Sequence, residues 1–368
     1  MGERTATRAL AVRRALAWRL GPGREAAPPA EPRRVLIAHN LLLGDTIMLS
    51  PLLAKLRAAH PGAEITLLAQ PAFVPIYAAR PWNVRALPFT PRDARTTRAL
   101  LEEEPFDLAV VAGDNRYGWL ARAMRARHVV AHGGHGSWTR DWCIDERRPY
   151  RSEPAAWGDM AADLVDGPDP APFARGDWTA PPARAFDRPR GRYAVLHVGA
   201  STPLKYWPAE RWRQLAASLA GGGIEVVWSG GPGEEAIVAQ VDPERRYRSF
   251  CGQLDLAQLW HLLAQASLLV APDTGVAHLG RATWTPSVTL FGPGDSTLAG
   301  AGRFWRHAPW RALSAPRFPC RDQTLLFGRD IEWVRRCGRS TAECAEPRCI
   351  QEISVEDVLR AAATVMIR

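Results

Sequence analysis

The chain has 368 residues, of which 46% are hydrophobic, and a formal net charge of +9. This length exceeds one typical core and this composition excludes general disorder, so we expect two globular domains. The sequence contains no run of about 20 uncharged apolar residues and no apolar block behind its basic N-terminus. We therefore expect a cytoplasmic protein and not a membrane-spanning or exported one.

The first 34 residues hold eight arginines and three glutamates, and so carry five of the nine net positive charges. We define residues 1–33 as a basic N-terminal tail. Apolar side chains among the arginines favour an amphipathic helix on an anionic membrane surface, within residues 1–30; a flexible solubilising tail is the alternative. These apolar residues are Leu10, Val12, Leu16, Trp18 and Leu20. No nucleic-acid-binding motif is found, so nucleic acid is not an expected partner.

The first domain is predicted over residues 34–185, where short apolar runs alternate with helical patterns. Strands are predicted at RVLIAH, EITLLAQ, NVRALPF and FDLAVVAGD. Helices are predicted from the loop at Gly44-Asp45 to Pro61-Gly62, over PAFVPIYAAR, up to about Leu101, and from about Tyr117. Pro, Gly, Asp and Trp dominate residues 133–192, which we interpret as an insertion followed by an interdomain linker.

The same pattern restarts in the second predicted domain, residues 186–368. Strands are predicted at RYAVLHVGA, IEVVWSGG, YRSFCG, SLLVAPDTG and PSVTLFGPGD. Helices are predicted over 208–220, from Glu234, over 255–266, from Val276, and over the final ISVEDVLRAAATVMIR, which we expect to pack back on the domain. Alternating strands and helices imply parallel sheets with right-handed crossovers. The predicted fold class is α/β, with two Rossmann-like, doubly wound domains that face a cleft.

Polar residues of the second domain follow its strands, so they converge on the sheet edge where open α/β sheets bind ligands. The loop GASTPLKYWPAERW places Ser201, Thr202 and Lys205 before a helix, a combination that favours phosphate. A capped loop with a solvated lysine is the alternative. The loop SGGPGEEA brings Glu234 and Glu235 to a helix start, where a carboxylate either binds ribose hydroxyls or only favours the helix dipole.

A third loop lies in LVAPDTGVAHL, where a strand ends and a helix begins. Thr274 and Gly275 suit a pyrophosphate, whereas Asp273 suits sugar hydroxyls or a helix-capping role. His278 lies in the first turn of that helix, with a structural role as the alternative. Neither G-x-G-x-x-G nor G-x-x-x-x-G-K-[ST] occurs, which argues against nicotinamide cofactors and P-loop chemistry.

Five ordered motifs carry a family resemblance: NLLLGDTIMLSPLLAKLRAAHPGAEI, HVGASTPLKYWPAERW, SGGPGEE, PDTGVAHLGRATWTPSVTLFGPGD and RCIQEISVEDVL. From about Arg34 to the C-terminus, residues 133–192 excepted, the chain resembles glycosyltransferase family 9, the ADP-heptose heptosyltransferases. The resemblance implies a B-type glycosyltransferase fold. It also implies inverting transfer from ADP-heptose to a lipopolysaccharide core, with no metal or other cofactor required for catalysis.

By the matching motifs, the resemblance also implies site residues. Ser201 and Lys205 would hold the diphosphate and Glu234 or Glu235 the ribose, while Thr274, Gly275 and His278 would hold the phosphates and sugar. Asp45 would be the general base. Inversion needs such a carboxylate to take the acceptor proton and a cation to stabilise the leaving diphosphate. Asp114, in VVAGDN, also follows a strand and is our second candidate for the base.

Four cysteines lie within thirty residues near the C-terminus: Cys320, Cys337, Cys344 and Cys349. Four thiolates can hold structural zinc or iron, although no C-x-x-C pair occurs. The cluster is similar to that of the iron-binding heptosyltransferases that modify autotransporter proteins. Four reduced, partly buried cysteines are the alternative.

Several functions remain open at this point. A lipopolysaccharide acceptor implies work at the inner membrane surface, whereas the cysteine set points to a protein acceptor. A nucleotide-sugar epimerase or hydrolase can share the fold, and so can a non-catalytic binding protein.

Overall fold

A computed structural model of the chain describes residues 3–21, 27–315 and 318–366. The chain divides into two compact units: unit 1 is Met1–Ala171 with Leu325–Trp333, and unit 2 is Pro172–Thr324 with Val334–Arg368. Arg24 and Glu25 of the predicted tail, and the last two residues of the predicted final helix, lie outside the described residues.

Unit 1 is a six-stranded parallel sheet with helices. The strands are β1 (Arg34–Ala38), β2 (Glu64–Ala69), β3 (Val84–Pro88), β4 (Leu108–Val111), β5 (His128–His132) and β6 (Glu146–Arg148). The helices are α1 (Glu3–Leu20), α2 (Leu43–Met48), α3 (Ser50–Ala59), α4 (Ala94–Leu101), α5 (Tyr117–Ala123), α6 (Trp138–Asp141) and α7 (Trp157–Ala162). The strand order is β3-β2-β1-β4-β5-β6.

The apolar runs form the centre of this sheet, because parallel strands covered on both faces must be apolar throughout. Ile37 pairs with Leu67 on one side and with Val110 on the other, and all three are fully buried. The strands predicted in this half are thus confirmed. The predicted helix PAFVPIYAAR is wrong in type, because only a short 3-10 helix, Val74–Tyr77, forms there.

The segment interpreted as an insertion and linker also contributes to unit 1. β5 was not predicted, and β6, α6 and α7 lie within residues 133–192. β6 completes the sheet beside β5, and α7 packs on α3. Short strands and helices of four to six residues give too little periodicity to be recognised among Pro and Gly residues.

The N-terminal helix α1 packs against α5 and α4. Ala15 is fully buried and lies in a small apolar cluster with Leu101 and Ala123. The indole Nε1 of Trp18 donates to the carbonyl of Ala126 at 2.9 Å. The helical prediction is therefore confirmed, and the alternative of a flexible tail is wrong for Glu3–Leu20.

Unit 2 repeats the architecture. Its sheet contains β7 (Tyr193–His197), β8 (Glu225–Ser229), β9 (Arg248–Ser249), β10 (Leu268–Pro272), β11 (Ser287–Phe291) and β12 (Trp310–Ser314). The helices are α8 (Ala209–Gly221), α9 (Glu235–Val241), α10 (Leu256–Ala264), α11 (Gly275–Ala282), α12 (Arg348–Gln351) and α13 (Val355–Met366). The strand order is β12-β11-β10-β7-β8-β9, again parallel.

The strands and long helices predicted for this half are confirmed, and α13 packs back on β11, β12 and α8. The short antiparallel hairpin of β13 (Leu325–Leu326) and β14 (Arg329–Asp330) was not predicted. This hairpin belongs to unit 1 although it follows most of unit 2 in the sequence. Two doubly wound α/β units confirm the predicted fold class. None of the described helices is both long enough and apolar enough to cross a membrane.

Candidate functional site

Each sheet has one position where the strand order reverses, and ligands of open α/β sheets bind beside it. In unit 2 this switch point lies between β7 and β10, which are hydrogen-bonded neighbours. Every donor-binding residue predicted from the sequence lies in the loops after these two strands and after β8, or in the first turn of the helix that follows. Short strands ending at the same edge bring the three loops together.

A charge pair joins the two loops at the switch point of unit 2. The Nζ of Lys205 donates to the main-chain carbonyl of Asp273 at 2.7 Å and to its carboxylate Oδ2 at 2.8 Å. Both side chains are largely buried, with exposed fractions of 19% and 12%. Lys205 is one of only two lysines in the chain. The alternative of a solvated lysine is therefore wrong.

Helix capping in these loops is performed by the threonines. Thr274 is the N-cap of α11, and its hydroxyl accepts from the amide of Val276 at 3.2 Å. The capping alternative for Asp273 is therefore wrong, since its carboxylate binds Lys205 instead. Thr202 caps the short 3-10 helix Pro203–Lys205, and Ser201 beside it is exposed.

The two glutamates lie at the start of α9 and are held by the glycines of their own loop. Oε2 of Glu234 accepts from the amide of Gly231 at 2.6 Å, and Oε1 of Glu235 accepts from the amide of Gly233 at 3.2 Å. Glu234 also lies against Gly199, where an added Cβ would be 1.7 Å from the same Oε2. A Cβ at that position would displace the Glu234 carboxylate, so the loops after β7 and β8 are in direct contact.

His278 is buried under the same loops, 5% exposed, and its Nδ1 contacts Nη2 of Arg281. Burial, together with the positive charges of Arg281 and Lys205, holds the pKa of His278 well below its usual value. His278 is therefore neutral at neutral pH. Arg281 donates to the carbonyls of Ala299 and Gly300, and burial lowers its pKa to about 10.

In unit 1 the strand order reverses between β1 and β4, and the two candidate bases follow these two strands. Asp45 lies in the first turn of α2 and is half-buried. Asp114 follows β4, and its carboxylate binds Arg116 at 2.5 Å and Arg140 at 3.2 Å. Burial of Asp114 acts to raise its pKa, but the hydrogen bonds and charges of the two arginines outweigh this and lower it. A carboxylate paired with two guanidinium groups is a weak base, which counts against Asp114 for that role.

Sequence reasoning missed Arg329, which lies at the same edge of unit 1. It comes from the hairpin strand β14 and is 2% exposed. Its guanidinium makes five hydrogen bonds of 2.6 to 3.0 Å to neutral oxygens, namely the carbonyls of Gly113, His132, Gly133 and Phe327 and Oδ1 of Asn115. These contacts join the loops after β4 and β5. No local signal marks Arg329 among 45 arginines, since four of its five partners are about 200 residues away in sequence.

A cavity of about 530 Å³ opens in unit 1 beside Arg329. Arg147, Arg148 and Arg151 also line it, together with Tyr150. Arg148 is paired with Glu146 and Asp166, and Arg151 with Asp163. Arg147 is exposed and has no ion pair within the described residues.

The four C-terminal cysteines line one cavity of about 400 Å³ in unit 2. All are free thiols, and burial, with Cys337 close by, raises the pKa of Cys320. Within residues 3–21, 27–315 and 318–366, no group of three or more His, Cys, Asp or Glu side chains is arranged to hold a metal ion. The iron or zinc site predicted on Cys320, Cys337, Cys344 and Cys349 therefore stays a prediction, as does the alternative of four reduced cysteines.

Comparison with known proteins agrees with this architecture. Residues 95–312, more than half of the chain, match glycosyltransferase family 9 (heptosyltransferase). Lipopolysaccharide heptosyltransferase 1 of Pseudomonas aeruginosa is 28% identical over 318 residues, covering 80% of this chain and 88% of that protein.

Two solved structures share the fold. An Escherichia coli heptosyltransferase solved with ADP is similar with a TM-score of 0.64 and 19% identity, covering 91% of this chain and all of that one. The iron-containing dodecameric glycosyltransferase TibC of enterotoxigenic Escherichia coli is similar with a TM-score of 0.57 and 16% identity, covering 93% of this chain and 80% of that one.

Proposed function

This chain belongs to glycosyltransferase family 9, the heptosyltransferases, and from that premise we propose that it transfers heptose from ADP-heptose to a lipopolysaccharide-type acceptor. The observation that carries the proposal is the Lys205–Asp273 pair at the switch point of unit 2, beside the capped N-terminus of α11. A cation and a helix N-terminus suit a diphosphate, and a carboxylate beside them suits sugar hydroxyls. The relatives named lipopolysaccharide heptosyltransferase support the choice of sugar and acceptor.

The donor diphosphate is assigned to the loops after β7 and β10. Lys205 carries three N–H donors, of which Asp273 occupies two, so one N–H is directed to a phosphate oxygen. Ser201, Thr202 and the main chain of Thr274 and Gly275 supply neutral donors to the same group.

The remaining donor contacts are assigned to three other side chains. Glu234 or Glu235 binds the ribose hydroxyls and Asp273 the heptose hydroxyls. His278 is neutral, so it adds a hydrogen-bonding group beside Lys205 and no second charge.

The reaction proposed is a single inverting displacement. Asp45 takes the proton of the acceptor hydroxyl while that oxygen forms a bond to the anomeric carbon. The bond from the anomeric carbon to the diphosphate oxygen breaks, and ADP leaves with the negative charge that Lys205 stabilises. No metal or other cofactor takes part in a step.

The acceptor is assigned to unit 1, where four arginines line the cavity of about 530 Å³. Their carboxylate partners neutralise part of this charge, but Arg147 and the carbonyl-bound Arg329 lack such a partner among the described residues. Asp330 and Glu332 also line the cavity, but the four arginines outnumber them, so an acceptor with acidic groups fits it. Because lipopolysaccharide is anchored in lipid, we propose that the enzyme works in the cytoplasm as a peripheral protein of the inner membrane.

A ligand screen followed by a transfer assay tests this function. ADP should raise the melting temperature of the purified protein, because a ligand that binds only the native state stabilises it. UDP, GDP and CDP are the matched controls and should not. A higher melting temperature with UDP or GDP alone would refute ADP-heptose as the donor. Release of heptose without any acceptor would favour a hydrolase.

A protein acceptor is the second candidate, because the four cysteines on which that alternative depends do share one cavity. Offering the enzyme a lipopolysaccharide core and a serine-rich acceptor protein separates the two. Metal analysis of the same preparation adds an independent measurement. We expect no stoichiometric iron or zinc; one equivalent would mean that the thiols close around an ion, contrary to the arrangement described, and would support the protein acceptor.

A further inference from the structure

Helix α1 has apolar residues on two opposite faces. The inner face holds Leu10, Ala11 and Ala15, which pack on Leu101, Ala123 and Trp119 of unit 1. Trp18 and Arg19 fasten the end of the helix through hydrogen bonds to the carbonyls of Ala126 and Trp142. Packing against unit 1 therefore explains why the inner face of the helix is apolar.

The opposite face is also apolar but has no partner within the described residues. Ala9, Val12, Leu16 and Leu20 recur at intervals of three and four residues, so they form one stripe along the helix. The exposed fractions of Val12, Leu16 and Leu20 are 44%, 37% and 77%. Only three other large hydrophobic side chains in the described residues are comparably exposed.

Arginines border the stripe on both sides. At 100° per residue, Arg8 projects on one side of the stripe and Arg13 on the other. Both are exposed, and neither has an ion pair within residues 3–21, 27–315 and 318–366. Arg19, by contrast, lies near Asp145 at 3.5 Å. We call Ala9, Val12, Leu16 and Leu20 with Arg8 and Arg13 the outer face of α1.

We propose that the outer face of α1 docks on an anionic lipid surface, with the stripe in the interfacial region and the arginines at the headgroups. The inference rests on the proposed function for the location of the acceptor and names the residues that make the contact. Apolar side chains flanked by cations match an anionic bilayer surface in both polarity and charge. The helix is already folded on unit 1, so binding need not pay for its folding.

Charge complementarity selects lipid over a second copy of the chain. Two outer faces in contact would bring the arginines of one copy close to those of the other, a like-charge arrangement that weakens association. Nucleic acid would leave the apolar stripe unused. A second copy of the chain is an outcome that the test distinguishes.

The test is sedimentation of the full-length protein with vesicles of phosphatidylglycerol and phosphatidylcholine, compared with phosphatidylcholine alone. Binding should require the anionic lipid and weaken with added salt. Arg8→Gln with Arg13→Gln should weaken binding about 30-fold, since each arginine near the surface contributes roughly five-fold. Leu16→Gln with Leu20→Gln should weaken it at least about ten-fold.

Matched controls use exposed residues away from the outer face. Arg95 and Arg360 have exposed side-chain fractions of 86% and 75%, and their joint change to Gln should leave binding within about two-fold. Equal binding to both vesicle types, or equal binding by all variants, would overturn the inference. So would self-association of the wild type that the leucine changes abolish without any vesicle binding.

Transfer to a water-soluble acceptor fragment separates this inference from the proposed function. All three double variants should retain wild-type transfer in solution. Vesicle binding without transfer would refute the proposed function but support the docking role of the outer face. Transfer without vesicle binding would support the function and refute the docking role.

Discussion

The two units have the same strand order, yet the residues at their switch points differ. Read from edge to edge, each sheet places its first strand next to its fourth, with the second and third on one side and the fifth and sixth on the other. Unit 2 has Lys205 paired with Asp273 there, surrounded by glycine loops and a helix N-terminus. Unit 1 has two aspartates, one of them paired with arginines, and a buried arginine brought in by a distant hairpin.

This difference shows that the topology positions the loops but does not choose their chemistry. Unit 2 presents one balanced charge pair beside the N-terminus of α11, which suits an anionic leaving group. Unit 1 presents two carboxylates, the half-buried Asp45 and Asp114, which is bound by Arg116 and Arg140. Each of the experiments below tests one part of this difference between the units.

The largest effect is expected at the general base. Asp45→Asn should lower the rate of transfer about 100- to 10,000-fold, the range over which general base catalysis acts. Asp114→Asn should lower it far less, because its carboxylate already serves Arg116 and Arg140. The affinity for ADP, measured by calorimetry, should stay unchanged in both. Full activity of the Asp45 variant, or a greater loss in the Asp114 variant, would overturn the assignment.

Arg329 tests whether unit 1 depends on its hairpin. Arg329→Met should lower the free energy of unfolding of unit 1 by about 3 kcal/mol or more, because it leaves several buried carbonyl oxygens without donors. Hydrogen exchange at residues 112–115 and 132–134 should quicken, while ADP affinity in unit 2 stays constant. Arg95→Met, at an exposed position, is the control and should change stability by less than about 0.5 kcal/mol. Equal behaviour of the two variants would refute the role of Arg329.

Lys205 tests the charge pair of unit 2. Lys205→Ala should weaken ADP binding by about 1.5 to 3 kcal/mol, the range for a hydrogen bond to a charged group. Lys205→Arg keeps the charge but alters the geometry, so it should recover part of the loss. Calorimetric titration of ADP measures both. Unchanged affinity in the alanine variant would show that Lys205 serves only to hold Asp273.

The smallest effect per group is a loss of stability in acid, which should affect both units. Burial lowers the pKa of His39 to about 3 and those of His132 and His197 to about 4. Between these values and the ordinary 6.5, the unfolded chain binds more protons than the folded chain, so stability falls as the pH drops below 6.5. Each histidine should contribute about 1.4 kcal/mol per pH unit.

Urea unfolding near pH 7.5 and near pH 5 measures this loss. His197→Gln removes one titrating group. It should therefore reduce the pH dependence of the free energy of unfolding by about 1.4 kcal/mol per pH unit. A variant with the same pH dependence as the wild type would show that His197 is not buried in its neutral form.

The sequence alone determined most of the elements and most of the donor loops. Apolar runs such as RVLIA and SLLVAP predict buried parallel strands because a sheet covered on both faces tolerates few polar residues. Residues after such strands share one sheet edge, so Ser201, Lys205, Asp273 and Thr274 could be grouped without coordinates. The order of the motifs was enough to indicate the family.

Pairings between residues distant in sequence could be identified only from the three-dimensional structure. It showed that Asp273 pairs with Lys205, that Arg116 and Arg140 bind Asp114, and that the four cysteines line one cavity. It also placed Arg329 among carbonyls of strands far upstream, and it left one apolar face of α1 exposed while burying the other. Local patterns record which residues are apolar or charged. Residues that are far apart in sequence but in contact in the fold produce no periodic sequence pattern. Only the three-dimensional structure identifies such pairs.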